Sequence, residues 1–177
     1  MTNWLNVLSL LFFLQCQLCN AQSQEDFSKA LFILDIAEHT KLPETAITEY
    51  TVTVIGDSKV YRELLTHLQG RHIYGLPIKY RQTENAEEAI PSGIVFLSLN
   101  RSGQLIHALK KIKDKPVIII SEEPGAYNTG ADFSFVKIDG KLKVDVNQET
   151  LKRKNIKLSR ALTEIVNRNS AMVTSKK

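Results

Sequence analysis

Polar and apolar positions change rhythm several times along this chain, and each change marks an element. From Ser23 to Leu42, the residues Phe27, Ala30, Leu31, Leu34 and Ala37 recur at helical spacing. That predicts an amphipathic helix opened by a Ser23/Asp26 capping box and stopped by Pro43. The β-branched run Tyr50–Ile55 predicts a strand that ends at Gly56-Asp57-Ser58, followed by a helix over Lys59–Leu68 with Val60, Leu64, Leu65 and Leu68 on one face. A short strand is expected at Leu76–Tyr80 and a short helix at Asn85–Ile90. The runs Ile94–Leu97 and Val117–Ile120 are apolar without alternation, the mark of strands buried on both faces of a parallel sheet. Between them, Leu105, Ile106, Leu109 and Ile112 predict a helix from about Ser102 to Ile112. The repeated β-α-β order argues for a mostly parallel sheet covered by helices.

The rhythm then switches to a hairpin. Phe133–Ile138 and Lys141–Val146 flank Asp139-Gly140, a pair suited to the two-residue primed turn. Leu142, Val144 and Val146 alternate with Lys141, Lys143 and Asp145, so one face of the second strand meets water. Asn147 is placed to cap a helix over Gln148–Lys154, and a break at Asn155–Leu158 precedes a last helix capped by Ser159. Leu162 and Ile165, with Leu158, are expected to pin that helix to the sheet.

The first residues differ in kind. Met1–Ala21 contains no Lys, Arg, Asp, Glu or His, and Trp4–Leu14 is nearly all apolar. Such a run is shorter than the roughly 20 residues that span a bilayer, and it fits the apolar part of a secretory signal. Cys19-Asn20-Ala21 provides a cleavage site before Gln22, although no basic residue precedes the apolar run, so a retained anchor stays open. The expected organisation is a signal peptide over 1–21, one α/β domain over 22–169 and a disordered tail over 170–177. The only cysteines, Cys16 and Cys19, would leave with the leader, so the domain is expected to stand without a disulfide.

Charge adds little. The formal net charge of +4 is scattered, and the densest basic run, Lys152-Arg153-Lys154, reads as a solvated helix face rather than a nucleic-acid footprint. His39, His67, His72 and His107 show no metal-binding spacing, and there is no phosphate loop, dinucleotide fingerprint or nucleophile elbow. No metal or cofactor is expected. In open parallel sheets, ligands bind beyond the carboxyl ends of the strands. Asp57 and Ser58, Asn100 and Arg101, and Glu122 and Glu123 would all lie on that edge, as a site for a polar ligand or a partner. The plainer reading, which the sequence favours, is that they cap helices and solvate loops.

The C-terminal third carries a resemblance. Gly130-Ala131-Asp132-Phe133-Ser134-Phe135-Val136, then Asp139-Gly140 through Asn147, then Ile156-Lys157-Leu158-Ser159-Arg160-Ala161-Leu162, resembles the closing signature of the YfiR family. The likeness extends back through both apolar strands to Lys29-Ala30-Leu31-Phe32, with Leu42-Pro43 standing where the family has Trp-Pro. It implies a Rossmann-like α/β fold and a non-catalytic periplasmic protein. Its best understood members restrain a membrane-bound diguanylate cyclase, and related domains are fused to sensor kinases. The partner so implied is a membrane-bound signalling protein; a small-molecule ligand serving a transporter or kinase, and a homodimer, stay open. Gly130, Asn147 and Ser159 read as turn and caps, which identify a fold more than a site.

Overall fold

The computed structural model describes residues 23–43, 49–89, 93–112 and 115–166; the leader and the tail of the sequence reading lie outside them. Helix α1 covers 23–39 and buries Ala30, Ile33, Leu34, Ile36 and Ala37, an arc centred on Ile33 that leaves the expected stripe residue Leu31 exposed. It also stops earlier than Leu42. The Thr40 hydroxyl donates back to the Ile36 carbonyl at 2.6 Å, and the chain straightens into strand β1, Thr40–Lys41.

Strand β2 (Tyr50–Ile55) is buried throughout, with Thr51 and Thr53 on one face covered as fully as Tyr50, Val52 and Val54 on the other. Helix α2 (Lys59–His67) starts where the Ser58 hydroxyl accepts the Val60 N–H at 3.2 Å. Strands β3 (His72–Ile73) and β4 (Leu76–Thr83) form a hairpin on Tyr74-Gly75. β4 outruns its expected end at Tyr80 because it pairs with the whole of β2, from Tyr50↔Ile78 to Ile55↔Thr83. The short helix expected at Asn85–Ile90 is a single 3-10 turn, Ala86–Glu88.

Strand β5 (Gly93–Leu97) leads into a 3-10 turn, Leu99–Gln104, and helix α3, Leu105–Lys111. Leu105, Ala108 and Ile112 form the buried line of α3, while Ile106 is 46% exposed, contrary to the sequence reading. Strand β6 (Ile118–Ser121) is followed by a 3-10 turn (Ala126–Thr129) and the hairpin of β7 (Phe133–Ile138) and β8 (Lys141–Val146). Asp139 and Gly140 both take positive φ, 51° and 72°, as the primed turn demands. The Asn147 side chain caps helix α4 (Gln148–Arg153) by accepting the Thr150 N–H at 3.0 Å.

The segment expected as a break holds strand β9, Lys157–Leu158, which pairs antiparallel with β1. Ser159 then caps the final helix α5, over 160–166, by accepting the Leu162 N–H. Leu162 and Val166, four residues apart, are buried; Ile165 is 41% exposed and does not pin the helix.

The main sheet has seven strands in the order β3-β4-β2-β5-β6-β7-β8. β4, β2, β5, β6 and β7 run parallel, and the antiparallel β3 and β8 close the two sides. One apolar cluster joins α1, α2, α4 and α5 to Val52, Val54, Ile94, Phe96, Ile118, Ile120, Phe133 and Phe135. On the other face α3 and the two flanking turns pack on Ile55, Val95, Leu97 and Ile119. The chain is therefore an α/β, Rossmann-like domain: a mostly parallel sheet covered by helices, with a C-terminal antiparallel hairpin and terminal helices.

Candidate functional site

Along the sequence, the parallel strands occupy the order second, first, third, fourth, fifth. The direction of winding thus reverses between β2 and β5, and the crevice beyond their carboxyl ends is where doubly wound sheets take ligands. In this protein the crevice is a groove of about 350 Å³ lined by Asp26, Asp57, Ser58, Lys59, Leu99, Asn100 and Glu122. Four of the six residues singled out from the sequence line it. Arg101 turns away to pair with Glu84, Nη2 to Oε2 at 2.6 Å, and Glu123 is exposed with its backbone N–H on the Ser121 hydroxyl.

The groove's polar groups are committed largely to one another. Gly56 sits at φ +98°, where a Cβ would lie 2.2 Å from Ser98 Oγ and 2.5 Å from Asn100 Oδ1. The loop after β5 is therefore stacked directly on the turn after β2, leaving no room there for a phosphate to approach the glycine backbone. Two side-chain bonds hold the stack: Ser98 Oγ donates to the Ile55 carbonyl at 2.7 Å and Asn100 Nδ2 donates to the Asp57 carbonyl at 3.3 Å. From the other side, Gln82 Nε2 of β4 donates to the Gly56 carbonyl at 2.8 Å.

Glu122 is held from both sides. Its Oε1 accepts from Lys29 Nζ at 2.7 Å and its Oε2 accepts the Leu99 N–H at 2.8 Å. Lys29 also pairs with Glu25 at 2.9 Å, and Glu25 in turn pairs with Lys137 of β7. Burial works to lower the Lys29 pKa, but the bonds to Glu122 and Glu25 outweigh it and hold the ammonium above its ordinary value. Likewise, burial works to raise Glu25, and its bonds to Lys137 and Lys29 hold it below the usual carboxylate range. Sequence reasoning missed Lys29. The signal was there: it shares a helix face with Ile33, Ile36 and Thr40, all buried.

A second buried pair lies at the opposite, amino-terminal side of the sheet. Lys154 Nζ reaches Asp132 Oδ2 at 2.5 Å and the Val117 carbonyl at 2.9 Å, and the same Oδ2 accepts the Ile119 N–H at 2.7 Å. Asp132 is fully buried, so Lys154, one member of the basic run read as solvated, is half-buried with its ammonium turned inward to a core carboxylate. Elsewhere, a hollow of about 500 Å³ lies between α4 and α5, with Gln148, Lys152, Asn155, Lys157 and Thr163 over Leu151 and Ile156.

Among the described residues no group of His, Cys, Asp or Glu is placed to hold a metal ion, and no helix is long and apolar enough to cross a membrane. His67 packs edge-on against Phe27, with ring centroids 5.2 Å apart.

Comparison with curated proteins returns no match. A family model described as YfiR/HmsC-like matches residues 27–166. That span runs from the first helix through the parallel sheet and hairpin to the last helix, taking in Lys29, Glu122, Asp132 and Lys154, and the chain belongs to the YfiR/HmsC-like family.

Proposed function

We propose that this chain is a non-catalytic periplasmic regulator that binds the outward-facing domain of an inner-membrane signalling enzyme, a diguanylate cyclase or sensor kinase, and restrains it. The observation that carries this reading is the family match over residues 27–166. The geometry of the carboxyl edge is in keeping with it. The glycine turn is covered and Glu122 is held by Lys29 and Leu99, whereas Leu99 is 58% exposed beside Asp57 and Asn100. An edge closed to small anions, yet presenting an apolar side chain among polar ones, suits a protein partner better than a substrate. Export through a cleaved leader would bring the domain to that partner, and restraint follows if the enzyme's inactive state is bound more tightly.

The test is to compare cyclic di-GMP, kinase output and matrix production with and without the gene, together with a Leu99→Asp variant. Loss of the protein should raise the output, and the variant should fold normally yet fail to retain the membrane enzyme in a pull-down. Unchanged output alongside lost growth on one nutrient would sink the regulator. It would promote a second reading, a small-ligand module serving a transporter or kinase. That reading draws on the hollow of about 500 Å³ between α4 and α5, a volume within the usual range for ligand pockets of ~300–1,000 Å³.

A further inference from the structure

The main sheet ends on β8, and among the described residues no strand pairs with its outer side. A free edge of six residues is a template for another strand unless the sequence guards against it. Which backbone groups face outward follows from the turn. In a hairpin with a two-residue primed turn, the residues flanking the turn exchange backbone bonds, and bonding pairs then alternate along the ladder. With the register Ile138↔Lys141, Val136↔Lys143 and Ser134↔Asp145, the odd-numbered residues of β8 bond inward to β7. The bond from the Asn147 N–H to the Asp132 carbonyl, at 2.8 Å, continues the same phase. The N–H and C=O groups of Leu142, Val144 and Val146 therefore point away from the sheet.

We propose that β8 joins a second copy of this chain across a two-fold axis at Val144, so that two sheets become one continuous antiparallel sheet. A two-fold axis perpendicular to a sheet keeps each face on its own side, so Val144 must face Val144, and Leu142 must face Val146, of the partner copy. In that register the outward groups of Leu142, Val144 and Val146 meet their own kind and exchange bonds. On the opposite face, Lys143 of each copy falls directly across from Asp145 of the other, in the close, non-bonded type of pair where opposite charges attract. The strand thus reads Leu-Lys-Val-Asp-Val, self-complementary in shape, hydrogen bonding and charge about its central valine. Val144 belongs to the core of α1, α4 and α5, and Leu142 and Val146 are its half-buried rim, so pairing would extend that apolar surface across the axis. Burial holds the Asp145 carboxyl above its ordinary value, and a facing ammonium would relieve this. The proposal stands on edge geometry and is independent of the regulatory reading.

The test is a set of charge exchanges read by sedimentation. The native chain should dimerise. Lys143→Asp places acid against acid twice over and Asp145→Lys places base against base, so either alone should weaken self-association roughly tenfold or more. The double exchange, Lys143→Asp with Asp145→Lys, should restore the homodimer, and an equimolar mixture of the two single variants should form a mixed dimer. Hydrogen exchange provides an arm that needs no variant: the amides of Leu142, Val144 and Val146 should gain protection as protein concentration rises. A native chain that stays monomeric at hundreds of micromolar overturns the proposal, as does a dimer indifferent to the exchanges or one whose Val144 amide stays unprotected. In the monomeric case Lys141 and Lys143 are guards of a solitary edge.

Discussion

The two ends of the sheet each bury a lysine against a carboxylate, and they do so in opposite ways. At the amino-terminal end, Asp132 is wholly buried; among the described residues Lys154 is its only cation, and the second oxygen, Oδ1, has no hydrogen-bond partner. At the carboxyl end, Lys29 stands between two acids, Glu25 and Glu122, whose side chains keep 20% and 14% of their surface in solvent and have further partners in Lys137 and the Leu99 N–H. The first arrangement is sealed and rests on one ammonium, with the Ile119 N–H as the carboxylate's other donor. The second is redundant and open to water at its rim. A sealed pair is costly to break because the surviving charge has nowhere to go, whereas a redundant one degrades gently. In both cases the pair ties a helix, α4 or α1, to the end of β6, so each fixes a layer of the fold.

The sharpest way to test that contrast is to remove the sealed cation. Lys154→Met leaves Asp132 charged and buried, and should lower unfolding stability by about 3–5 kcal/mol in urea melts. Replacing both partners with apolar residues, Asp132→Leu with Lys154→Met, should recover much of that loss, because no uncompensated charge remains. If the single variant costs under about 1 kcal/mol, Asp132 is reached by water and is not sealed.

At the carboxyl end the tightest point is a glycine rather than an ion pair. Gly56→Ala puts a methyl 2.2 Å from Ser98 Oγ at φ +98°, so strain and overpacking should together cost about 2–4 kcal/mol. Gly140→Ala is the control: its φ is +72° but its Cβ would meet nothing within 4 Å, so only the backbone penalty of about 1 kcal/mol should appear. Equal losses at the two glycines would mean that the loop after β5 moves aside freely, and that the crevice opens.

Much of this frame was legible. β5 and β6 announced themselves because strands covered on both faces need no polar positions, β2 did so through its β-branched run, and the hairpin through Asp139-Gly140. Asn147, Ser58 and Ser159 read as caps or turn residues because their short side chains reach the first free N–H groups of a helix. What escaped depends on partners far apart in the chain. β1 and β9 are two residues each, and neither has a pattern of its own; they exist only because the ends of the domain meet. Lys154 looked like one cation of a solvated run because its acid lies beyond a hairpin. Leu31, Ile106 and Ile165 fit helical stripes, but at each the stripe is rotated so that a neighbour takes the core. The location of the candidate site followed from the rule about strand ends, while its internal bonding did not, since that depends on a lysine from α1.

The gentler of the two lysine substitutions is also the one that most directly tests redundancy. Lys29→Met keeps the apolar stem of the lysine and removes its charge, while Glu122 keeps the Leu99 N–H and Glu25 keeps Lys137. The loss near neutral pH should therefore be about 1–2 kcal/mol, well below that of Lys154→Met. Its pH dependence is fixed in sign. Lys29 is held above its ordinary 10.5 in the folded state, so the stability it contributes is present below that value and is lost as pH rises through the folded one. Glu25 is held below its ordinary 4.5, so its contribution is present above that value and is lost as pH falls through the folded one. The stability gap between the native chain and Lys29→Met should then stay level across neutral pH and close above about 10.5. On the acid side it should narrow only in part below about 4.5, because Lys137 still serves Glu25 in the variant. Denaturation midpoints of both proteins, measured in parallel from acid to alkaline pH, give that gap directly. A gap of the same size at every pH would show that it comes from how the methionine packs rather than from the lost charge, and the contrast between the two ends of the sheet would then be one of packing rather than of charge.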